Sequence, residues 1–158
     1  MEDLSLILWR ERELLDTLLY KLEIEQLVLA SGRSRWLATA AREVESVLES
    51  IRETELLRAV AADEAARRIG LSSNPSLRSL AEAVDEPWQS ILLDHREAFL
   101  DYTRQITDIA AANRELLTAG QVAARDMFLG LTESTDGYAH DGRAVVDENR
   151  HRLLDRSI

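Results

Sequence analysis

"WQSILLDHREAFLDYTRQITDIAAANRELLTAGQVAARDM", residues 88 to 127, decides the fold of this chain. Within it Leu92, His95, Phe99, Tyr102, Ile106, Ile109, Asn113, Leu116, Gly120, Ala123 and Met127 follow one another in alternating steps of three and four. That rhythm is the one at which a stripe on an α-helix meets a partner helix. Eleven positions in unbroken register predict a single long helix over about 86–130, capped by Asp85, with Glu86 and Pro87 in its first turn. At about 1.5 Å per residue such a helix is roughly 60 Å long, more than a compact globule covers. It therefore calls for antiparallel packing against other long helices.

Two such helices precede it. Leu4, Leu8, Leu15, Leu18, Leu22 and Leu29 share one seam, with Glu11 and Glu25 as its polar interruptions, and predict a helix over about 3–30 that ends at Ser31 and Gly32. A second is expected over about 34–69, with Trp36, Leu37, Ala40, Val44, Val47, Leu48 and Ile51 lining one side. From Glu53 to Arg58 its pattern blurs, after which it becomes alanine-rich, and Gly70 closes it. The connector "LSSNPSLRSLAEAVD" predicts a short helix over about 75–84, with Asn74 as cap and Pro75 at the first helical position.

Composition agrees with an all-α class. Two prolines, six glycines and few aromatics, in a chain of 158 residues that is 46% hydrophobic, suit helices and one domain with a real core. The balance of 19 Lys and Arg against 29 Asp and Glu leaves a formal charge of -10, which disfavours nucleic acid and anionic membrane surfaces. With no cysteine, disulfides, thiol catalysis and cysteine metal sites are excluded. The opening "MEDLSLILWRERE" carries acids where a signal peptide needs bases, and no apolar run approaches the ~18 residues of a membrane span. A cytoplasmic protein without membrane insertion is expected.

Helicity is expected to stop near Gly130, so the bundle domain spans 1–131 and residues 132–158 form a linker and an amphipathic segment. The linker, "LTESTDGYAHDGR", sets Tyr138 between two glycines, away from any seam. Val145, Val146, Leu153, Leu154 and Ile158 then form two apolar clusters about seven residues apart, which a helix would bring to one face. Burying five aliphatic side chains contributes roughly 1.5 to 3 kcal/mol each, against roughly 1 to 2 kcal/mol of backbone entropy for each of some fifteen residues. Alone the segment should fray; docked on a partner it can fold. The expected architecture is an elongated antiparallel helical bundle or coiled coil of three long helices, with a short connecting helix and a flexible C-terminal amphipathic tail.

Little in the sequence points to catalysis, a metal or a cofactor. A di-iron carboxylate bundle needs inward-facing Glu-x-x-His pairs on two helices, which three scattered histidines, His95, His140 and His151, do not supply. No H-E-x-x-H, G-x-S-x-G or glycine-rich phosphate loop occurs. His95 lies in the helix seam and reads as a packed side chain, and Asn113 in the same seam reads as a polar setter of register. "RERELLDTLL" and "REVESVLESIR" resemble the first two helices of the helical chorismate mutases. That active site needs a lysine beyond the first helix, and the only lysine here is Lys21, inside it.

A fuller resemblance covers the whole chain. "LWRERELLDTLLYKLEIEQLVLASGRSRWL", "ANRELL" and "GYAHDGR" stand in the order of the FlgN-type flagellar export chaperones and resemble that family's opening helix and glycine break, its asparagine-leucine stretch and its Tyr-x-x-x-Gly-Arg segment. The resemblance implies a cytoplasmic, non-enzymatic chaperone that holds hook-filament junction proteins unassembled and brings them to the flagellar type III export gate. By the same resemblance Val145, Val146, Leu153, Leu154 and Ile158 become candidate cargo contacts and Tyr138 the candidate gate contact. A structural or adaptor bundle that associates with itself through the third-helix seam is the alternative, and the sequence leaves the oligomeric state open.

Overall fold

In a computed structural model of the chain, residues 1–136 are described, with side chains through Leu131. They form helices α1 (Glu2–Ala30), α2 (Leu37–Arg68), α3 (Leu77–Glu82) and α4 (Trp88–Asp136), with one 3-10 turn, Ser34–Trp36, ahead of α2. No strand occurs among the described residues. The chain divides into two compact units, Met1–Leu117 and Thr118–Ile158.

The first unit is a three-helix bundle, and its cross-links give the topology. Lys21 Nζ lies 2.8 Å from Glu43 near one end, Glu11 meets Arg58 midway, and Leu4 packs with Ala65 and Ala66 at the other end, so α1 and α2 are antiparallel. Between α1 and α4 the pairs Arg12–Asp94, Asp16–Tyr102 and Leu22–Asn113 rise together in both helices. The third long helix thus runs parallel to α1 and is antiparallel only to α2, since two reversals restore the starting direction.

Two apolar clusters fill the bundle. At one end Leu4 and Leu8 meet Ala62, Ala65 and Ala66 of α2, Leu80 and Ala81 of α3, and Leu92 of α4. At the other, Leu18 and Leu22 pack on Val44 and Ile51, with Ile106 and Ile109 against them. The alanine-rich end of α2 has a structural reason: small side chains let helices approach closely, and α3 fits into the room they leave. Seven residues of the expected α4 seam, from Leu92 to Asn113, are buried or half-buried.

The helix ends follow backbone chemistry, with some shifts from expectation. Gly70, at φ +76, closes α2 in a Schellman arrangement: Leu71 N donates to Ala66 O at 2.9 Å and Gly70 N to Arg67 O at 3.4 Å. Ser76, not Asn74, caps α3, its Oγ accepting from Ser79 N at 3.0 Å. Asn74 instead adopts φ +57, which asparagine tolerates better than most residues, and donates its backbone N–H to Asp63 Oδ1 at 2.5 Å. At the start of α4 the Asp85 carbonyl accepts from Trp88 N, while the Glu86 carboxylate accepts from Ser90 N and Oγ. Glu86 and Pro87 precede the helix rather than opening it. Its far end corrects the sequence reading further, because α4 continues past Gly130 to Asp136. One glycine in a nucleated helix costs only about 1 kcal/mol.

Candidate functional site

The polar members of the seams are spread along the bundle. Glu11, buried on α1, lies 3.0 Å from Arg58 Nε on α2 in an ion pair not aligned as an N–H···O hydrogen bond. Burial pushes the Glu11 carboxyl above its ordinary range, Arg58 pulls it back, and Glu55 adds to the rise. Thr54, also buried, donates its hydroxyl to the Ser50 carbonyl at 2.8 Å. An ion pair in this position stabilises little on balance, but removing either partner would strand a buried charge.

His95 is fully buried on α4, its ring 4.9 Å from Trp9 in an edge contact and 6.2 Å from Phe99. Neither ring nitrogen has a hydrogen-bond partner. Burial lowers its pKa, the Arg12 charge lowers it further, and Asp94 opposes. Arg12 itself lies 4.6 Å over the Trp9 ring and 2.6 Å from Asp94 Oδ2, covering this layer from outside. A general acid or base must reach the proton that it moves, and this neutral, enclosed imidazole reaches none. The geometry fits packing.

Asn113 closes the buried part of α4. Its Nδ2 donates to the Leu22 carbonyl at 2.9 Å and to Glu25 Oε2 at 3.0 Å, so the two seam interruptions at Glu25 and Asn113 answer one another across α1 and α4. A shift of α4 by one turn would part Nδ2 from both acceptors, which is how one polar residue sets register. From Arg114 to Leu131 every residue is exposed. The heptad rhythm continues through Leu116, Gly120, Ala123 and Met127, and Met127 is 71% exposed.

The residues singled out from sequence for partner binding, Tyr138, Val145, Val146, Leu153, Leu154 and Ile158, lie outside the described residues. So does the single Glu-x-x-His spacing of the chain, Glu148 to His151. Among the described residues no group of three or more His, Cys, Asp or Glu is placed to hold a metal ion. No described helix is long and apolar enough to cross a membrane. Trp36, expected on the core side of the second helix, sits half exposed in the 3-10 turn with Arg35 5.2 Å over its ring. The glycine at 32 already hinted that the chain was still turning there.

The described residues form a register-locked bundle whose α4 runs on with every residue from Arg114 to Leu131 exposed, and the family comparison places it. The model of the family described as FlgN protein matches residues 1–145, from the first turn of α1 to Val145. The chain belongs to the FlgN family. FlgN proteins are flagellar export chaperones, a chaperone family rather than an enzyme family, whose role implies binding of flagellar proteins. No curated protein and no solved structure matches this FlgN-family chain. The match takes in Tyr138 and Val145, whereas Val146, Leu153, Leu154 and Ile158 fall beyond it.

Proposed function

We propose that this FlgN-family protein is a cytoplasmic chaperone that holds hook-filament junction proteins unassembled and delivers them to the flagellar type III export gate. The observation that carries the reading is the family match, which spans the bundle and runs on into the C-terminal segment. Val145, Val146, Leu153, Leu154 and Ile158 are assigned to cargo, and Tyr138 to the gate. The physics supports that division of labour. A rigid bundle needs no catalytic site, and a segment too short of apolar area to fold alone gains it from cargo helices. Coupled folding lowers net affinity, which suits a chaperone that must release.

The test is a chain cut after Asp141. Co-purification with junction proteins is expected to be lost while the helical circular-dichroism signal largely survives. Undiminished cargo binding by the truncated chain would remove the assignment of the tail. A second reading, a structural adaptor that self-associates, draws support from the exposed continuation of the α4 seam at Leu116 and Met127.

A further inference from the structure

Within the first unit, α2 and α4 leave a groove of about 380 Å³ between them, bordered by residues 74–78 on the way into α3. Its size falls in the range of ligand and peptide pockets. Ala59 and Ala62 of α2 create it, since alanines at these positions leave the apolar faces of Phe99 and Leu100 incompletely covered. Leu100 is 56% exposed. Around this floor stand Arg58, Arg78 and Arg96. No Asp or Glu lines the groove, although acids outnumber bases 29 to 19 in the chain.

The three arginines are not equivalent. Arg58 is held by buried Glu11 at 3.0 Å and Arg78 by Glu82 at 2.8 Å. Arg96 has no hydrogen bond or ion pair among the described residues and is exposed. The groove therefore offers an apolar floor, two guanidinium groups already placed and a third whose donors are unused. A free guanidinium favours a carboxylate, which it can grip with two parallel N–H···O bonds.

We infer that this groove docks a short acidic and apolar segment of a partner protein, with a bulky apolar side chain on the alanine floor and an Asp or Glu against Arg96. Charge complementarity selects that occupant: Arg58 and Arg78 already have carboxylate partners, so Arg96 is the rim guanidinium left to meet an acid beside the apolar trench, in a protein whose net charge of -10 repels long polyanions such as nucleic acid. The site is independent of the C-terminal cargo assignment, since it is built from residues 58–103 alone. Either can fail without the other.

The full-length protein, isotopically labelled, is titrated with the hexapeptide acetyl-Glu-Leu-Asp-Phe-Leu-Glu-amide, and in parallel with the same peptide carrying Lys at its three acidic positions. The acidic peptide is expected to shift the amides of Ala59, Leu77, Leu100 and Thr103, and the lysine peptide to leave them in place. Arg96→Glu should weaken the acidic peptide by about tenfold or more. Ala59→Leu should abolish its binding by filling the trench. Both positions are exposed, so an unchanged thermal midpoint confirms that neither variant has lost its fold. Four outcomes overturn the proposal: no shifts with peptide up to about 1 mM, equal binding of the lysine peptide, indifference to both substitutions, or the same shifts from succinate alone. Groove shifts that follow protein concentration without peptide would assign the trench to a second copy, and would overturn it equally.

Discussion

At the scale of single residues, the clearest consequence concerns His95. The folded imidazole has a pKa below its ordinary 6.5, with burial as the main cause. The unfolded chain therefore takes up this proton at a higher pH than the folded one, and stability falls as pH drops below about 6.5. Glu11 acts in the opposite sense, because its raised carboxyl favours the folded state at low pH and that contribution is lost as pH rises above the ordinary carboxylate range. His95→Leu should remove the first effect alone. Relative to the parent, its thermal midpoint should rise as pH falls from 7 to 5, because the parent's His95 contributes a slope of at most about 1.4 kcal/mol per pH unit. At pH 7 the variant should be as stable as the parent or more so, since two unpaired buried nitrogens disappear. Identical pH dependence in parent and variant would contradict the assignment of a suppressed histidine pKa.

Tyr138 belongs to the same scale. An aromatic with two side-chain torsions loses little entropy on docking for the area that it covers. Tyr138→Ala is expected to preserve folding and cargo co-purification while weakening the encounter with the export gate in a reconstituted binding assay. Unfolding of the bundle by this substitution would instead place Tyr138 in a core.

At the scale of elements, glycine substitutions separate backbone conformation from packing. Gly70 has φ +76 and nothing within 4 Å of where a Cβ would stand, so Gly70→Ala meets only the strain of the left-handed conformation. That should destabilise by about 1 kcal/mol in urea melts. Gly120 lies inside α4 with equal space around it, and there the same change should raise helicity, worth about 0.5 to 1 kcal/mol locally. Opposite signs for one chemical substitution are the expectation, read by circular dichroism and hydrogen exchange. Equal signs would mean that one of the two backbone assignments is wrong.

The element boundaries also show how far sequence reaches. Gly32 and Gly70 were legible as stops because only a few residue types adopt the conformation that ends a helix. Ser76 in place of Asn74 was not, since both residues cap well and the choice depends on whether Asp63 is near enough to hold the Asn74 amide. Gly130 misled for a related reason. A glycine marks a stop only when its φ turns positive, and inside α4 it does not.

At the scale of the whole molecule, partner binding and self-association make different demands. A chaperone should be monodisperse when free and should bind cargo through its tail, whereas an adaptor joined through Leu116, Ala123 and Met127 should form a tight oligomer without cargo. Light scattering across a concentration series distinguishes them. A concentration-independent mass that rises only when junction protein is added is the expected result. A stable dimer lost on Met127→Glu would favour the adaptor instead.

The sequence by itself determined the helical class, the three long elements and the breaks at Gly32 and Gly70, because seam periodicity and helix stops are local properties carried by residue type. The pairing of Asn113 with Glu25, the enclosure of His95 against Trp9 and the exposure of Trp36 were decided only by tertiary structure. So was the groove, for its floor joins alanines of α2 to Phe99 and Leu100 of α4, and its rim draws arginines from three elements. A period reports which face of a helix is apolar. It does not report which neighbour stops short of covering that face.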